Sequence, residues 1–375
     1  MAERPAPLVL VTTPREGGPF GSHSAIAAAG HGLLAAELSR RLGRLGAAVA
    51  PLPWAEPTGG SFHWGRWFVD AARQTLDDAT VDAIGYAGGS ALALLADDDL
   101  DQLLAPVHGE VVSNNRFSAD AFVVAGDRPM LDRALEALSV CDSDNGAPRR
   151  LEEAGFRSRD LGGAAWARFD VDTTLDLALL RLATRLPATR ALDASVSGFL
   201  EMARLPGGGA LEVPHLERIG RVVRDREAEL VVAGRVPASV WGHLETETAC
   251  RIRCLVEERG MRSARGGRPR SILAALMRRS SPAVLVEELA RLGDAVIVDT
   301  RVLMASLAES PEADAWPPEE ERFASDFGDH ARIGTPWLRE LTEAAASAEV
   351  PVLFGGHALV SDGLRLIVAA AWQGH

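Results

Sequence analysis

The chain has 375 residues, of which 47% are hydrophobic, and it carries a formal net charge of −13. This length favours two domains over one, and the acidic balance argues against a nucleic-acid-binding surface, which normally needs a basic face. All 39 Lys and Arg positions are arginine, so lysine chemistry such as a Schiff base, a pyridoxal phosphate linkage or a Walker A motif is excluded.

The sequence contains no signal for export or for membrane insertion. No apolar stretch approaches the length of about 18 residues that marks a membrane span, and no charged segment followed by a long apolar run opens the chain. The cysteines Cys141, Cys250 and Cys254 give neither a disulfide framework nor a complete zinc site. We therefore expect a cytoplasmic protein without a membrane partner, and the oligomeric state is left open.

The first elements in chain order are a strand, a glycine-containing loop and a helix. The apolar run Leu8–Thr13 predicts the strand, and the apolar pattern over residues 25–45 predicts the helix. Loops of this kind often bind phosphate, because backbone N–H groups at a helix N-terminus attract anions. The candidate nucleotide-binding residues of this loop are Arg15, Gly17, Gly18 and Gly21. Plain turn chemistry is the alternative interpretation.

Further apolar runs predict four more strands and one helix. They are strands 47–52, 83–86, 110–113 and 121–125, and helix 64–78. Polar or glycine-rich loops follow two of these strands, and they supply the candidate nucleotide-binding residues Gly88, Gly89, Ser90, Asn114 and Asn115. Asparagine can read a base or sugar edge, but it also tolerates left-handed turns, so both interpretations stay open.

The segment Ala165–Ala183 combines aspartates with a leucine-rich helix pattern. Thr173 or Thr174 can cap this helix, which puts Asp176 in its first turn. Asp170 and Asp172 stand two apart at a predicted strand end, so their carboxylates face the same side. They can bind a divalent cation carried by phosphates, and both are candidate catalytic and metal residues. A cap with a solvated turn is the alternative.

Part of this segment, FDVDTTLDLALL, resembles the D-I-D-T-P-x-D-L segment that closes the nucleotidyltransferase domain of molybdenum cofactor guanylyltransferases and related enzymes. The resemblance implies a three-layer GT-A or Rossmann-like domain that binds a nucleoside triphosphate with Mg²⁺, held near Asp170 and Asp172. Two family features are missing: the lysine of the first loop, and the metal-binding aspartate, where this chain has Gly88–Leu95. The resemblance therefore implies a degenerate metal site.

The sequence predicts a first domain over residues 1–190, a helical connector over 191–225 and a second, smaller α/β domain over 226–375. The Pro- and Gly-rich stretch Leu205–Leu216 supports a boundary in this region. It stands in the middle of the predicted connector.

In the second half, compact apolar runs predict parallel strands at Glu229–Ala233, Ala295–Asp299 and Val350–Phe354, and a helix is predicted over Trp241–Glu258. Ligands of open α/β sheets bind beyond the carboxyl ends of the strands. The charged residues expected there, as a second pocket, are Arg235, Asp299, Arg301, Asp326 and His357. Surface ion pairs and caps are the alternative for each of them.

The fold class predicted is α/β, with a three-layer sheet that has helices on both faces, followed by the second domain. We expect Asp170 and Asp172 to lie around one cleft with Gly17–Gly21 and Gly88–Ser90. The first functional hypothesis is a nucleotide- or nucleotide-sugar-binding transferase, of nucleotidyltransferase or glycosyltransferase type, that uses Mg²⁺ and acts on a small molecule. The second is a non-catalytic ligand-binding or assembly protein built on such a domain.

Overall fold

The computed structural model describes residues 6–14, 19, 21–54, 62–76, 81–161, 163–258, 269–308 and 315–373. Within these ranges the chain has the predicted α/β class, with a mixed six-stranded sheet and a parallel four-stranded sheet, both flanked by helices. None of the helices in these ranges combines the length and apolar character that crossing a bilayer requires.

The chain divides into two compact units that are not continuous in sequence. Unit 1 comprises Met1–Glu16, Ala28–Val171 and Arg190–Val196, and unit 2 comprises Gly17–Ala27, Asp172–Thr189 and Ser197–His375. The linear domain boundaries expected at residues 190 and 225 stay predictions.

Unit 1 contains the six-stranded sheet. Its strands are β1 (Leu8–Thr13), β2 (Ala48–Pro53), β3 (Ala83–Ala87), β4 (Glu110–Ser113), β5 (Ala121–Ala125) and β6 (Arg157–Asp160). Its helices are α1 (His23–Arg44), whose first residues belong to unit 2, and α2 (Trp64–Leu76), α3 (Asp97–Leu103), α4 (Arg128–Leu138) and α5 (Ala147–Glu153). The strand order is β2-β1-β3-β5-β4-β6, and β5 runs antiparallel to both of its neighbours.

Both faces of this sheet are covered by helices, which confirms the three-layer expectation. Leu8 and Leu10 of β1 pack in one apolar cluster with residues of α2, α4 and α5, such as Phe68. Val9 and Val11 pack in a second cluster with residues of α1 and α3. Alternate residues of a strand point to opposite faces, so a run that is apolar at every position needs cover on both sides.

Unit 2 contains the four-stranded sheet. Its strands are β7 (Glu229–Gly234), β8 (Arg251–Val256), β9 (Ala295–Asp299) and β10 (Val352–Gly355), all parallel, in the order β10-β9-β7-β8. Helix α6 (Thr174–Ala183) precedes it, and α7 (Ala194–Met202) passes from unit 1 into unit 2. The other helices are α8 (Leu216–Arg224), α9 (Ala238–Glu247), α10 (Ile272–Arg279), α11 (Pro282–Ala290), α12 (Arg301–Leu307), α13 (Glu319–Asp326), α14 (Pro336–Ser347) and α15 (Leu364–Ala371).

The helix predicted over Trp241–Glu258 is wrong in its second half. Helix α9 ends at Glu247, and Thr248 has extended backbone angles. Residues 251–256 form β8, the edge strand beside β7. The alternation of Arg251 and Arg253 with apolar residues has the two-residue period of a strand, with both arginines exposed. In a sequence of mixed charge, so short an alternation resembles the polar face of a helix.

Candidate functional site

The sheet of unit 1 has a point at which its strand order reverses. The chain passes from β1 to β2 on one side of β1 and then to β3 on the other side. In an open α/β sheet, the crevice for a ligand lies outside the carboxyl ends of the two strands at such a switch point. Here these are the ends of β1 and β3, and Gly88–Ser90 directly follows β3.

Two predicted parts of the first site meet at this edge of unit 1. The Gly89 N–H donates to Thr12 Oγ1 at 2.7 Å, and a Cβ on Gly89 would lie 2.2 Å from the Thr12 carbonyl oxygen. Ala91, next in the turn, forms an isolated antiparallel bridge with Asp170. The structure thus brings Gly88–Ser90 and Asp170 together, and the close approach explains why residue 89 is glycine.

The asparagine pair has a different environment. Asn114 is 1% exposed, and its Oδ1 accepts the N–H groups of Asp120 and Ala121 at 3.0 Å each. Its Nδ2 donates to an Asp120 carboxylate oxygen and to the Ala167 carbonyl, also at 3.0 Å. Asn115 Oδ1 accepts the Phe117 N–H at 3.3 Å. The Asn114 side chain therefore holds the loop before β5 and has its polar atoms occupied by the protein.

The remaining members of the first predicted site are distributed as follows. Arg15, Gly17 and Gly18 lie outside the described residues. Gly21 has a φ of 79°, a left-handed conformation that favours glycine. Asp172 is exposed and belongs to unit 2, so its predicted pairing with Asp170 stays a prediction. Over the ranges that the structure covers, no group of three or more His, Cys, Asp or Glu side chains is placed to hold a metal ion.

The sheet of unit 2 has its own switch point. The chain passes from β7 to β8 on one side of β7 and then to β9 on the other side. Arg235 follows β7 and Asp299 ends β9. These residues of the predicted second pocket therefore lie where the topology of this sheet expects a ligand.

The charged side chains at this second switch point form a buried network. Arg235 binds the Asp299 carboxylate through two hydrogen bonds, of 2.6 and 3.1 Å, and Arg301 binds Asp326 through two of 2.6 Å. The Arg301 backbone N–H also donates to Asp299 Oδ1 at 3.2 Å. Burial alone would lower the pKa of Arg301, but the carboxylates of Asp326 and Asp299 raise it. The structure thus brings together four of the five predicted residues as two linked, forked ion pairs.

The fifth residue, His357, follows β10 and is partly buried, with its carbonyl accepting the Ser361 hydroxyl at 2.7 Å. Its neighbour Gly356 borders Arg301, since a Cβ there would lie 3.8 Å from Arg301 Nε. That these five residues form a ligand pocket stays a prediction.

Asp176 is a further charged residue of this region. The sequence predicts for it only a place in the first turn of a capped helix. The predicted cap is confirmed: Thr173 Oγ1 accepts the Asp176 N–H, and Asp176 Oδ2 accepts the Thr173 N–H, in a capping box. Yet Asp176 is 1% exposed. Burial, followed by repulsion from Asp172, raises its pKa from 3.8 to about 7.

A sequence signal for this burial was present. Seven of the ten residues of α6 are apolar, and a helix that is apolar all round is buried on every side. An acid inside such a helix must lie in the interior. Asp176 interacts electrostatically with Asp326 and Arg301, so it adds a proton-binding group to the network.

The sequence was also compared with known proteins. No model of a protein family matches it, and no curated protein matches it.

Proposed function

We propose that the chain is a nucleotide- or nucleotide-sugar-binding, transferase-like protein that acts on a small molecule. The observation that carries the proposal is the meeting of Gly88–Ser90 and Asp170 beside the ends of β1 and β3. A glycine turn lets a ligand approach the backbone closely, and a carboxylate beside it can face a metal–phosphate group. The resemblance of residues 169–180 to the guanylyltransferase segment points to the same ligand class.

Mg²⁺ fits this proposal only as a cation that the nucleotide brings with it. Mg²⁺ keeps several waters and is often held by one or two carboxylates together with substrate phosphates. In unit 1 the acid at the switch point is Asp170, whose Oδ1 accepts the Val171 N–H at 2.9 Å. Asp172, the other predicted metal residue, belongs to unit 2. The cation would neutralise phosphate charge, while the chain's own role is to position the phosphates.

The test is a ligand screen on the whole chain. Nucleoside triphosphates and nucleotide sugars are added with and without Mg²⁺, and the melting temperature is followed. A ligand at about a hundred times its dissociation constant stabilises by about 2.7 kcal/mol, which such a screen detects. We expect at least one ligand to raise the melting temperature only when Mg²⁺ is present. The absence of any shift at millimolar ligand would contradict the proposal.

A matched pair of variants assigns the metal dependence. Asp170→Asn keeps the shape of the side chain but removes its charge, and we expect it to abolish the effect of Mg²⁺ on nucleotide affinity in calorimetric titration. Asp98→Asn removes an exposed charge from the first turn of α3 in the same unit and should bind like the parent. If the two variants behave alike, Asp170 is only a turn residue.

The second candidate function is a non-catalytic ligand-binding or assembly protein. One observation favours it: the Asn114 side chain, a predicted nucleotide-binding group, has its polar atoms hydrogen-bonded within the chain. Nucleotide binding that is independent of Mg²⁺, with no product formed on long incubation, would select this candidate.

A further inference from the structure

The N-terminus of helix α1 holds a carboxylate from a distant part of unit 2. Glu320 Oε1 accepts the His23 N–H at 3.0 Å. Glu320 Oε2 accepts the Ser24 N–H at 2.8 Å and the Ser24 hydroxyl at 3.0 Å. The next N–H, of Ala25, donates to Ser22 Oγ at 3.1 Å in an ordinary N-cap. The carboxylate therefore occupies the two foremost donors of a 22-residue helix.

This arrangement of donors is one that recognises phosphate. Two successive backbone N–H groups and a hydroxyl converge on one anionic group, and the dipole of the helix favours negative charge at this end. Charge-assisted hydrogen bonds of this kind are about twice as strong as neutral ones. Glu320 supplies the anion from within the chain.

A buried polar side chain beside this place has no hydrogen-bond partner. His23 is 1% exposed, and neither of its ring nitrogens has a hydrogen-bond partner. Its ring stacks on Phe327 with centroids 5.3 Å apart, and Glu320 is the charge that acts on it most strongly. Burial lowers the pKa of His23, so at neutral pH the ring is uncharged and keeps one N–H donor. A buried donor without a partner is unfavourable, and a bound anion would offer it an acceptor.

We propose that residues His23 and Ser24 form a binding site for a phosphate group, and that Glu320 is an internal occupant which the phosphate displaces. The free site is then populated only when the Glu320 side chain has left it. The measured affinity for phosphate is therefore the affinity of the free site multiplied by the fraction of time for which Glu320 is away from it. The proposal concerns contacts inside unit 2, and it stands whether or not a nucleotide binds at the sheet of unit 1.

Inorganic pyrophosphate is the probe, because it carries the phosphate chemistry without a base or a sugar. Calorimetric titration in a metal-free, phosphate-free buffer compares the parent with Glu320→Ala and Glu320→Gln. We expect Glu320→Ala to bind pyrophosphate at least tenfold more tightly than the parent. Glu320→Gln, which keeps an acceptor but not the charge, should lie between them. Glu319→Ala is the matched control, since it removes the same charge from an exposed neighbour in α13 and should bind like the parent.

Two further arms make the outcome decisive. Adding Ser24→Ala to Glu320→Ala should remove most of the gain, because the hydroxyl is one of the donors. A nucleoside diphosphate is titrated in parallel, and a gain shared with pyrophosphate assigns recognition to the phosphates. If Glu320→Ala is unfolded, pyrophosphate should restore its folded circular dichroism spectrum. If neither Glu320 variant binds pyrophosphate better than the Glu319→Ala control, or no rescue occurs, Glu320 is only a tertiary helix cap and the proposal is overturned.

Discussion

The buried acid Asp176 gives a prediction that can be worked out from the structure. Its Oδ2 accepts three hydrogen bonds, from the Asp172 N–H at 3.1 Å and from the Thr173 N–H and hydroxyl at 2.9 Å each. Its Oδ1 is buried and has no hydrogen-bond partner. Removal of the carboxylate from water outweighs the three bonds, so the charged form is disfavoured in the folded chain.

The sign of the pH effect follows from the direction of this shift. The folded pKa, about 7, is higher than the ordinary value of 3.8, so the folded state binds the proton more tightly than the unfolded state. Asp176 therefore costs nothing near pH 3.8, and its cost grows as the pH rises and is complete above about pH 7. With about 1.4 kcal/mol for each pKa unit, the gap between 3.8 and about 7 amounts to about 4 kcal/mol.

The perturbation is Asp176→Asn, which keeps the acceptor for Thr173 and cannot ionise. The free energy of unfolding is measured by urea denaturation from pH 4 to pH 8.5 for the parent and the variant. We expect the parent to lose about 4 kcal/mol relative to the variant over this range. The cost of burying the new amide N–H₂ without an acceptor is independent of pH and leaves the slope unchanged.

The control is Glu217→Gln, which neutralises an exposed acid in the first turn of α8 in the same unit. The same pH series is measured for this variant, as the baseline for neutralising an acid. If the difference between Asp176→Asn and the parent is constant with pH to within about 1 kcal/mol of that baseline, about the value of one pKa unit, the argument that burial controls this carboxyl is refuted.

Two more predictions concern close packing and the buried ion pairs. Gly89→Ala would place a Cβ 2.2 Å from the Thr12 carbonyl oxygen, so we expect a loss of about 1–3 kcal/mol in the free energy of unfolding. Gly88→Ala is the control, because its Cβ would meet nothing closer than 3.4 Å; equal losses would contradict the packing argument. Arg301→Met leaves the Asp326 carboxylate buried without its forked partner, and we expect a loss of about 3–5 kcal/mol by urea denaturation. An exposed ion pair usually stabilises by less than about 1 kcal/mol, so a loss of unfolding free energy below this value would show that Asp326 finds another partner.

The sequence by itself determined the features that depend on neighbouring residues. Continuous apolar runs predicted most of the strands, including β1 and β9 at their observed bounds, because a strand covered on both faces must be apolar at every position. The helix cap could also be predicted from the sequence, because Thr173 and Asp176, the two partners of the capping box, lie only three residues apart. The edge strands β6 and β8 were not predicted, because β6 has only polar residues and β8 has polar outer residues and a short apolar period.

Only the tertiary structure decided which charges meet and how deeply they are buried. Arg235 pairs with Asp299 across 64 positions, Arg301 with Asp326 across 25, and Glu320 reaches Ser24 across 296. The sequence pattern around each of these residues is equally compatible with a solvated surface charge. An ion pair depends on distance in space and on the removal of water, and both are set by how the helices and strands pack. Asp176 shows the consequence: its place in a helix cap is local, but its pKa is a property of the folded interior.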